Sequence, residues 1–342
     1  MIDMSRQLKS NLLILLAAFI WGTAFLAQKD GGQIGTFTFN GIRFLIGGTF
    51  LLPVIFVLDR LRSSKTDQDK NGAKSTHSEQ ETLGACSAGP GEQGFDGKSV
   101  DSGNAVDNEG VDMGWNRTVF AGGMACGVIL FIASSLQQYG ILYTTIGKSG
   151  FITALYTVIV PVLSIALGKK VHLKTWIAVV IGMLGLYLIS MYGESLSISY
   201  GDRFIIACAF GFAVQILMID HFSPKVDPVK LSAVEFLSLG IISIPFMFIF
   251  ESPNMPDIIS VLPSLLYASI LSSGVAYTLQ VVGQRYADPT QAAIMMCMES
   301  VFSLLTGMIV LGERMTVNES IGAALIFTAV VMSQLPDRRT SD

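Results

Sequence analysis

Long apolar runs separated by short polar segments are the dominant pattern of this chain. A helix that crosses about 30 Å of hydrocarbon needs roughly 20 mainly apolar residues, and helices satisfy the backbone within each crossing segment. The pattern predicts ten such helices, numbered here as spans 1 to 10 in chain order. We therefore expect an all-α integral membrane protein. The predicted spans are 11–29, 37–58, 118–141, 147–167, 174–192, 203–221, 229–250, 259–284, 289–311 and 318–335.

The composition agrees with a membrane protein and excludes an ordinary soluble domain. Apolar residues make up 51% of the 342 residues and charged residues 14%, and the mean hydropathy is +0.56. A soluble domain carries about a quarter charged residues, because its surface faces water.

Residues 59–115 interrupt this pattern with a polar, acidic segment. They hold eleven of the 26 acidic residues but six of the 22 basic ones. The segment is rich in Gly, Ser, Asp and Glu and lacks a sustained apolar period, which predicts a disordered insertion. The isoelectric point near 5.4 therefore describes this loop and says nothing about the partners of the rest of the protein. We expect no nucleic-acid partner.

The distribution of Lys and Arg in the short loops predicts the orientation. With the N-terminus inside, ten of these residues face the cytoplasm and four face outward, once the long loop is discounted. Cytoplasmic loops carry the excess of positive charge. We expect a multi-pass protein of the cell membrane with both termini in the cytoplasm.

Short matching segments indicate an internal repeat. The pairs are Leu167-Gly168-Lys169-Lys170-Val171 with Leu311-Gly312-Glu313-Arg314-Met315, Gln137-x-x-Gly140-x-x-Tyr143 with Gln280-x-x-Gly283-x-x-Tyr286, Arg43-Phe44-Leu45 with Glu235-Phe236-Leu237, and Ala18-Phe19 with Ala209-Phe210. The offsets are 143 or 144 after the insertion and 191 or 192 before it. An insertion of that size in the first half explains the difference.

The repeat predicts two domains of five spans each. The first covers 11–192 and contains the insertion at 59–115, and the second covers 203–335. Because five is odd, the second domain enters the membrane from the opposite side. Such inverted-topology repeats are typical of secondary transporters.

Three common catalytic or nucleotide-binding motifs are missing from the sequence. They are the phosphate-binding Gly-x-x-x-x-Gly-Lys-Ser/Thr loop, the His-Glu-x-x-His pair and the Gly-x-Ser-x-Gly elbow. The four cysteines and three histidines are widely spaced, which argues against a disulfide framework or a metal site. We predict no catalytic residue, no cofactor and no metal, so that an ion or solute gradient must supply the energy for transport.

Glu299 is the most informative polar residue, because it lies near the middle of span 9. A carboxylate there is costly unless it faces a polar cavity, finds a partner or binds a proton. On a regular helix it shares a face with Ala292, Met295, Ser303 and Thr306. We interpret Glu299 as a substrate contact and proton-coupling candidate; the alternative is a buried link to another helix.

Arg43 and its repeat counterpart Glu235 are two further charged residues within spans. Arg43 can bind an anionic group of the substrate, pair with an acid, or extend to the outer headgroups. Glu235 lies near Lys230, and an interfacial salt bridge between the two is the expected arrangement.

Aromatic and amide side chains complete a predicted cavity, since aromatic walls with a few polar groups suit small amphipathic solutes. Ordinary helix packing explains each of these residues as well. The predicted cavity-lining set is Trp21, Arg43, Gln137, Tyr156, Tyr277, Gln280, Met295, Glu299 and Ser303.

Several of these segments resemble the EamA domains of the drug/metabolite transporter superfamily. The resemblance rests on Trp21-Gly22-Thr23-Ala24-Phe25, Arg43-Phe44, Gly147-Lys148-Ser149-Gly150-Phe151-Ile152-Thr153 leading to Pro161, and Glu299-Ser300-Val301 followed by Leu311-Gly312-Glu313-Arg314. It covers about residues 11–335 apart from 59–115. It implies ten spans, cytoplasmic termini and secondary transport, commonly export, with Trp21, Arg43 and Glu299 near the cavity or its gates.

The preferred hypothesis is a secondary transporter, an exporter of a small metabolite, amino acid or drug-like compound, that works by alternating access. Its expected partners are that solute, the lipid bilayer and a counter-flux of protons or solute. The oligomeric state stays open, with a homodimer as one arrangement. The competing hypotheses are a membrane enzyme acting on lipid-linked substrates and a transporter-derived sensor that uses residues 59–115 for docking.

Overall fold

Ten helices in the structure, a computed structural model, are long and apolar enough to cross a membrane. The structure describes residues 4–84, 114–193, 197–312 and 314–335. Their apolar segments match the ten predicted spans one for one, which confirms the predicted fold class of a helical, multi-pass membrane protein. The apolar segments are Arg6–Ala24, Thr36–Ser63, Arg117–Ile141, Gly147–Ala166, Leu173–Ser190, Tyr200–Phe222, Pro228–Phe250, Leu262–Gln284, Pro289–Ile309 and Val317–Gln334.

The helix of span 2 continues beyond the apolar segment into the acidic insertion. It runs over Thr36–Gly84, so residues 59–84 are helical where the sequence predicts disorder. This part contains three Lys, two Arg, two Leu, two Gln and two Glu residues, which are good helix formers. Residues 85–113 lie outside the described part of the chain, and the prediction of disorder for them stays a prediction.

Spans 4, 8 and 9 are not single regular helices. Span 4 consists of Ile146–Thr153 and Tyr156–Ala166. Span 8 passes from Leu262–Tyr267 through a π-helix at Ala268–Tyr277 to Thr278–Gln284. Span 9 consists of Pro289–Met296, Met298–Thr306 and a π-helical turn at Gly307–Leu311. Such interruptions in membrane helices are tolerated where they face protein or a cavity. The remaining spans are the helices Met4–Gly31, Arg117–Ile141, Leu173–Ser190, Tyr200–Phe222, Pro228–Phe250 and Val317–Gln334.

The chain divides into a large unit, Met1–Leu51 with Asp112–Asp342, and a small unit, Leu52–Val111. All packing described below lies within the large unit. Its helices approach closely at glycines, where two backbones or a backbone and a side chain come into contact. Spans 5 and 10, for example, meet where Gly185 faces Gly322 O and Gly322 faces Gly185 O.

Spans 2 and 7 make a contact that is reciprocal. A Cβ placed on Gly48 would lie 2.8 Å from Leu237 Cγ, and one placed on Gly240 would lie 2.5 Å from Leu45 Cγ. Gly48 and Gly240 are separated by 192 residues, and so are Leu45 and Leu237. The contact therefore joins two pairs of residues that match in the internal repeat.

A second pair of contacts also joins residues that match in the internal repeat. Gly140 in span 3 packs on Gly201 and Ile205 at the start of span 6. Gly283 in span 8 packs on Ser10 and Ile14 at the start of span 1. The offsets are 143 from Gly140 to Gly283 and 191 from Ser10 and Ile14 to Gly201 and Ile205, as in the sequence repeat.

Candidate functional site

Gly22 brings span 1 against the middle of span 9. A Cβ at this position would lie 2.7 Å from Glu299 O and 2.9 Å from Ser303 N, so a larger residue would push the two helices apart. Trp21, the neighbour of Gly22, is thereby placed beside the segment that carries Glu299. The Trp-Gly pair of span 1 thus helps to form the wall of a central cavity.

Six spans line this cavity, namely 1, 3, 4, 6, 8 and 9. In the repeat these are the corresponding pairs 1 and 6, 3 and 8, and 4 and 9. The lining residues are Trp21, Gln28, Gln137, Gly150, Thr153, Ala154, Tyr156, Phe212, Gln215, Ile216, Tyr277, Gln280, Met296, Cys297, Glu299 and Ser300.

The structure brings six of the nine predicted lining residues to the cavity, and three lie elsewhere. Those at the cavity are Trp21, Gln137, Tyr156, Tyr277, Gln280 and Glu299. Arg43, Met295 and Ser303 are outside the lining.

The positions of Met295 and Ser303 differ from the prediction because span 9 is broken between its two halves. Cys297 N bonds to Ile294 O at 3.2 Å and Ser300 N to Cys297 O at 3.2 Å, which are three-residue rather than four-residue steps. This tightening rotates the helix faces relative to a regular helix. Met296 and Ser300 consequently line the cavity in place of Met295 and Ser303.

Arg43 is buried between spans 2 and 8 and does not reach the cavity. Its Nε donates to Ser273 Oγ at 2.7 Å and one terminal nitrogen donates to Ser272 Oγ at 3.1 Å. The guanidinium carbon lies 4.9 Å from the centre of the Phe44 ring, a cation–π contact. Of the three alternatives for Arg43, extension to the outer headgroups does not agree with this burial, and Arg43 faces protein on the π-helical part of span 8.

Trp21 and Tyr277 form the wall between Arg43 and the cavity. Their rings meet edge to face at 4.8 Å, and Trp21 Nε1 donates to Ser272 O at 3.2 Å. Tyr277 also contacts the Phe44 ring at 5.8 Å on the far side. The backbone of Ser272 and the ring of Tyr277 thus connect the buried arginine to the cavity wall.

Two glutamines of the lining have their amide nitrogens directed at protein acceptors. Gln215 Nε2 donates to Glu235 Oε1 at 3.0 Å. Gln280 Nε2 donates to Gln284 Oε1 at 3.1 Å, and Gln284 Nε2 donates to Ile216 O at 3.5 Å. Because the backbone carbonyl of Ile216 only accepts, the atom of Gln284 bonded to it is the amide nitrogen. The other atom of that amide is then Oε1, so the atom of Gln280 bonded to it is Nε2.

Glu299 has no hydrogen bond or ion pair with any residue that the structure describes. It lies at the cavity with four aromatic residues and a serine, and the described lining residues include neither lysine nor arginine. A partly buried carboxylate in this environment is stabilised by a proton, a cation or a polar ligand. The alternative, a buried link from Glu299 to another helix, would require a bond to a residue of that helix, and no described residue makes one.

Glu235 also differs from expectation, because it bonds to Gln215 and not to Lys230. The two residues are five positions apart on span 7, which places them about 140° apart around a regular helix. Glu235 is fully buried, and its Oε2 has no partner in the described part of the chain. It supports the cavity from behind Gln215.

Several lining residues are not in the predicted set, although the internal repeat indicates one of them, Phe212. Phe212 lies 191 residues after Trp21, so the repeat that joins spans 1 and 6 would have predicted it. Likewise Tyr156 lies 143 residues before Glu299, which places a phenol where the second half has its carboxylate. Within the described ranges there is no group of His, Cys, Asp and Glu able to hold a metal ion.

The model of the EamA-like transporter family matches residues 8–69 and 199–334, which is more than half of the chain. The chain belongs to the EamA-like transporter family. As an EamA protein it is a multi-pass membrane protein of a transporter family, and this family assignment points away from an enzyme.

Named relatives agree with the EamA assignment. An "uncharacterized transporter" of Archaeoglobus fulgidus is 26% identical over 96% of this chain and 87% of its own length. The "uncharacterized transporter YoaV" of Bacillus subtilis is 20% identical over 96% of this chain and 97% of its own length. A protein of known crystal structure shares the fold, with a TM-score of 0.68 and 17% identity over 97% of this chain and 99% of that one.

Proposed function

We propose that this EamA protein is a secondary transporter that exports a small metabolite, amino acid or drug-like compound by alternating access. The observation that carries the proposal is a cavity lined by three pairs of corresponding spans and containing Glu299, a carboxylate without a partner among the described residues. A solute held at such a place contacts both halves of the chain. A change in how the halves meet can therefore expose it to either side.

The proposed mechanism depends on two inverted repeats, residues 11–192 and 203–335. The reciprocal contacts Gly48–Leu237 and Gly240–Leu45 support this arrangement, because a twofold relation exchanges one with the other. Two halves of the same shape and opposite orientation can exchange conformations, which opens a shared cavity to each side in turn. The cell membrane and cytoplasmic termini belong to the same proposal and rest on the distribution of Lys and Arg.

Glu299 is the coupling residue of this proposal. A carboxylate in a low-dielectric cavity is neutralised either by a proton or by a ligand that offers charge or hydrogen bonds. Binding of the proton and binding of the ligand then exclude each other at one residue. An inward proton gradient can thereby drive the solute outward, without a nucleotide site.

The geometry favours transport over chemistry on a lipid-linked substrate. The enzyme hypothesis requires Arg43 and Glu299 in one charged active site, whereas Arg43 is enclosed by Phe44, Ser272 and Ser273 and lies outside the cavity lining. Glu235, a buried carboxylate of span 7, is bonded to Gln215 and also lies outside the lining.

Flux into and out of proteoliposomes tests the proposal. Vesicles that contain the purified protein are loaded with isotope-labelled amino acids and alkylamines, and release is followed with and without an inward proton gradient. We expect gradient-dependent release of at least one compound and its loss in Glu299→Gln, while Glu319→Gln, an exposed glutamate that caps span 10, keeps it. If folded protein releases none of them, or if it chemically converts a lipid-linked substrate, the proposal is wrong.

A further inference from the structure

The charge of the cavity limits the solute that it can hold. Sixteen residues whose side chains the structure describes form the lining, and they include one carboxylate, Glu299, but neither lysine nor arginine. Unlike charges attract strongly in a low-dielectric cavity, and like charges repel. An anionic headgroup would therefore enter against the field of Glu299, with no cation among these sixteen residues to compensate it.

The orientation of the amides limits the solute further. The nitrogen sides of Gln215 and Gln280 are held by Glu235 and Gln284, as described above. Gln280 Oε1 is buried and accepts no hydrogen bond from the described residues, and no described residue donates to Gln215 Oε1 either. A buried acceptor without a donor is unfavourable, so Gln280 Oε1 favours a ligand that donates, and the same ligand can donate to Gln215 Oε1.

The other polar groups of the lining do not reverse this preference. Trp21 Nε1 already donates to Ser272 O, and Gln137 Nε2 donates to Thr153 Oγ1 at 3.4 Å. The hydroxyls of Tyr156, Tyr277 and Ser300 can donate or accept. The indole N–H of Trp21 and one amide N–H each of Gln137, Gln215 and Gln280 thus bond to protein, whereas the amide of Gln28 can both donate and accept.

We propose that the solute carries a primary ammonium or guanidinium group, that is, a cation with several N–H donors, attached to an apolar body. The proposal rests on the proposed function and assigns its substrate class. Glu299 binds the charge, and the oxygens of Gln215 and Gln280 accept N–H bonds. The rings of Trp21, Tyr156, Phe212 and Tyr277 surround the apolar body, where aromatic faces also attract a cation.

The proposal separates this cation from two others of similar size. A quaternary ammonium has the charge but no N–H, so the acceptors of the cavity stay without donors. A carboxylate has neither the charge nor the donors. Sites built from buried polar groups reject analogues that lack the matching group by large factors.

Matched ligands test the headgroup directly. Binding of 2-phenylethylamine, its N,N,N-trimethyl derivative and 3-phenylpropionate to detergent-purified protein is measured by calorimetry, and the butyl series is measured in parallel. We expect the primary amine to bind at least tenfold more tightly than both analogues in one or both series. Equal or tighter binding of a trimethyl or carboxylate compound, or no saturable binding of any compound by folded protein, overturns the proposal.

Two variants with matched controls locate the effect. Glu299→Gln should weaken the amine at least tenfold, and Gln280→Met should weaken the amine several-fold but leave the trimethyl compound unchanged. Glu319→Gln and Gln291→Met, which alter the same residue types outside the cavity lining, should bind like the parent. A weakening by Gln280→Met that is equal for both compounds indicates a structural role and contradicts the proposal.

The binding result is separate from the transport result. If the amine binds selectively but no flux occurs in proteoliposomes, the transporter proposal fails and the assigned headgroup stands. If flux occurs, but vesicles loaded with 2-phenylethylamine and 3-phenylpropionate release the carboxylate and not the amine, the headgroup is wrong and the transporter stands.

Discussion

Glu251 and Thr38 join the end of span 7 to the beginning of span 2. Thr38 donates to Glu251 Oε2 twice, from its backbone nitrogen at 2.7 Å and from Oγ1 at 2.7 Å. Phe37 N adds a third bond, to Glu251 Oε1 at 2.8 Å. A carboxylate usually caps the helix to which it belongs, whereas here it caps one that begins more than 200 residues away.

We expect Glu251→Gln to lower the apparent melting temperature of the purified protein. The change keeps the size of the side chain but replaces a charged acceptor at a helix N-terminus, where a cap contributes about 0.5–2 kcal/mol. Thermal unfolding in detergent measures the effect. Glu319→Gln is the control, because Glu319 bonds to Thr316 within its own helix turn and is the local version of the same cap. An equal loss in both variants would show that the bridge between spans 2 and 7 adds nothing.

Lys148 and Asp202 form a buried ion pair between spans 4 and 6. Their charged atoms are 2.6 Å apart, and Asp202 also accepts from Thr144 Oγ1 at 2.7 Å and from Ser199 N at 2.7 Å. The corresponding residues of the repeat are Gln291 and Asn11, which are neutral. The position that the proposed pseudo-twofold axis relates to this ion pair therefore has no charged pair.

We expect Lys148→Met and Asp202→Asn each to destabilise the protein strongly. Breaking a buried pair leaves one charge uncompensated, at a cost of about 3–5 kcal/mol. The double variant should lose less than the sum of the single losses, because neither charge is then left alone. Unfolding of the four proteins measures this coupling, and strictly additive losses would contradict it.

The sequence predicts the existence of the ten spans well because hydropathy and length decide it. The observed ends of the spans differ from the predicted ones where capping side chains determine the first residue of a helix. Span 6 begins at Tyr200 and not at the predicted 203, since Ser199 and Asp202 form a capping box. Span 10 begins at Val317 for the same reason, with Thr316 and Glu319.

The interruptions inside spans could not be predicted from an apolar run. Hydropathy reports depth in the membrane but not the step of the helix, so the break at Cys297 and the π-helix at Ala268–Tyr277 leave no signal in it. Both change which side chains reach the cavity. Regular helical spacing predicts Met295 and Ser303 at the cavity, but they lie outside its lining, whereas Glu299, next to the break, lies at the cavity.

Arg43 shows a second limit of the sequence. Its depth in span 2 is clear, but its neighbours depend on which span packs against that face. Ser272 and Ser273 come from a helix more than 200 residues later and match no motif around Arg43. The internal repeat is the stronger signal, because it relates whole spans and therefore partners that are distant in sequence.

We expect Gly48→Ala and Gly240→Ala to have similar and unfavourable effects on stability. An added Cβ would meet Leu237 Cγ at 2.8 Å in the first case and Leu45 Cγ at 2.5 Å in the second, and overpacking of this kind costs about 1–3 kcal/mol. The control is Gly182→Ala, where the nearest atom is at 3.5 Å and the gain in helix propensity can make the change neutral or favourable. Melting temperatures that fall for one of the two reciprocal glycines and not for the other would contradict the twofold relation.

The orientation of the two halves gives the last prediction, which concerns Lys169 and Arg314. Lys169 forms an ion pair with Asp220, so the ends of spans 4 and 6 lie on the same side. Arg314 follows span 9, the counterpart of span 4 in the other half. With inverted repeats, Lys169 faces the cytoplasm and Arg314 faces outward.

Cysteine labelling in intact cells tests this orientation. Cys86 is replaced by serine, and the three cysteines Cys126, Cys208 and Cys297 are buried and free, so that single Lys169→Cys and Arg314→Cys variants carry the accessible thiol. We expect a membrane-impermeant maleimide to label Arg314→Cys from outside and to label Lys169→Cys only after permeabilisation. Labelling of both from the same side means that the two halves enter the membrane in the same direction, and an alternating-access mechanism based on inverted repeats then has no structural basis.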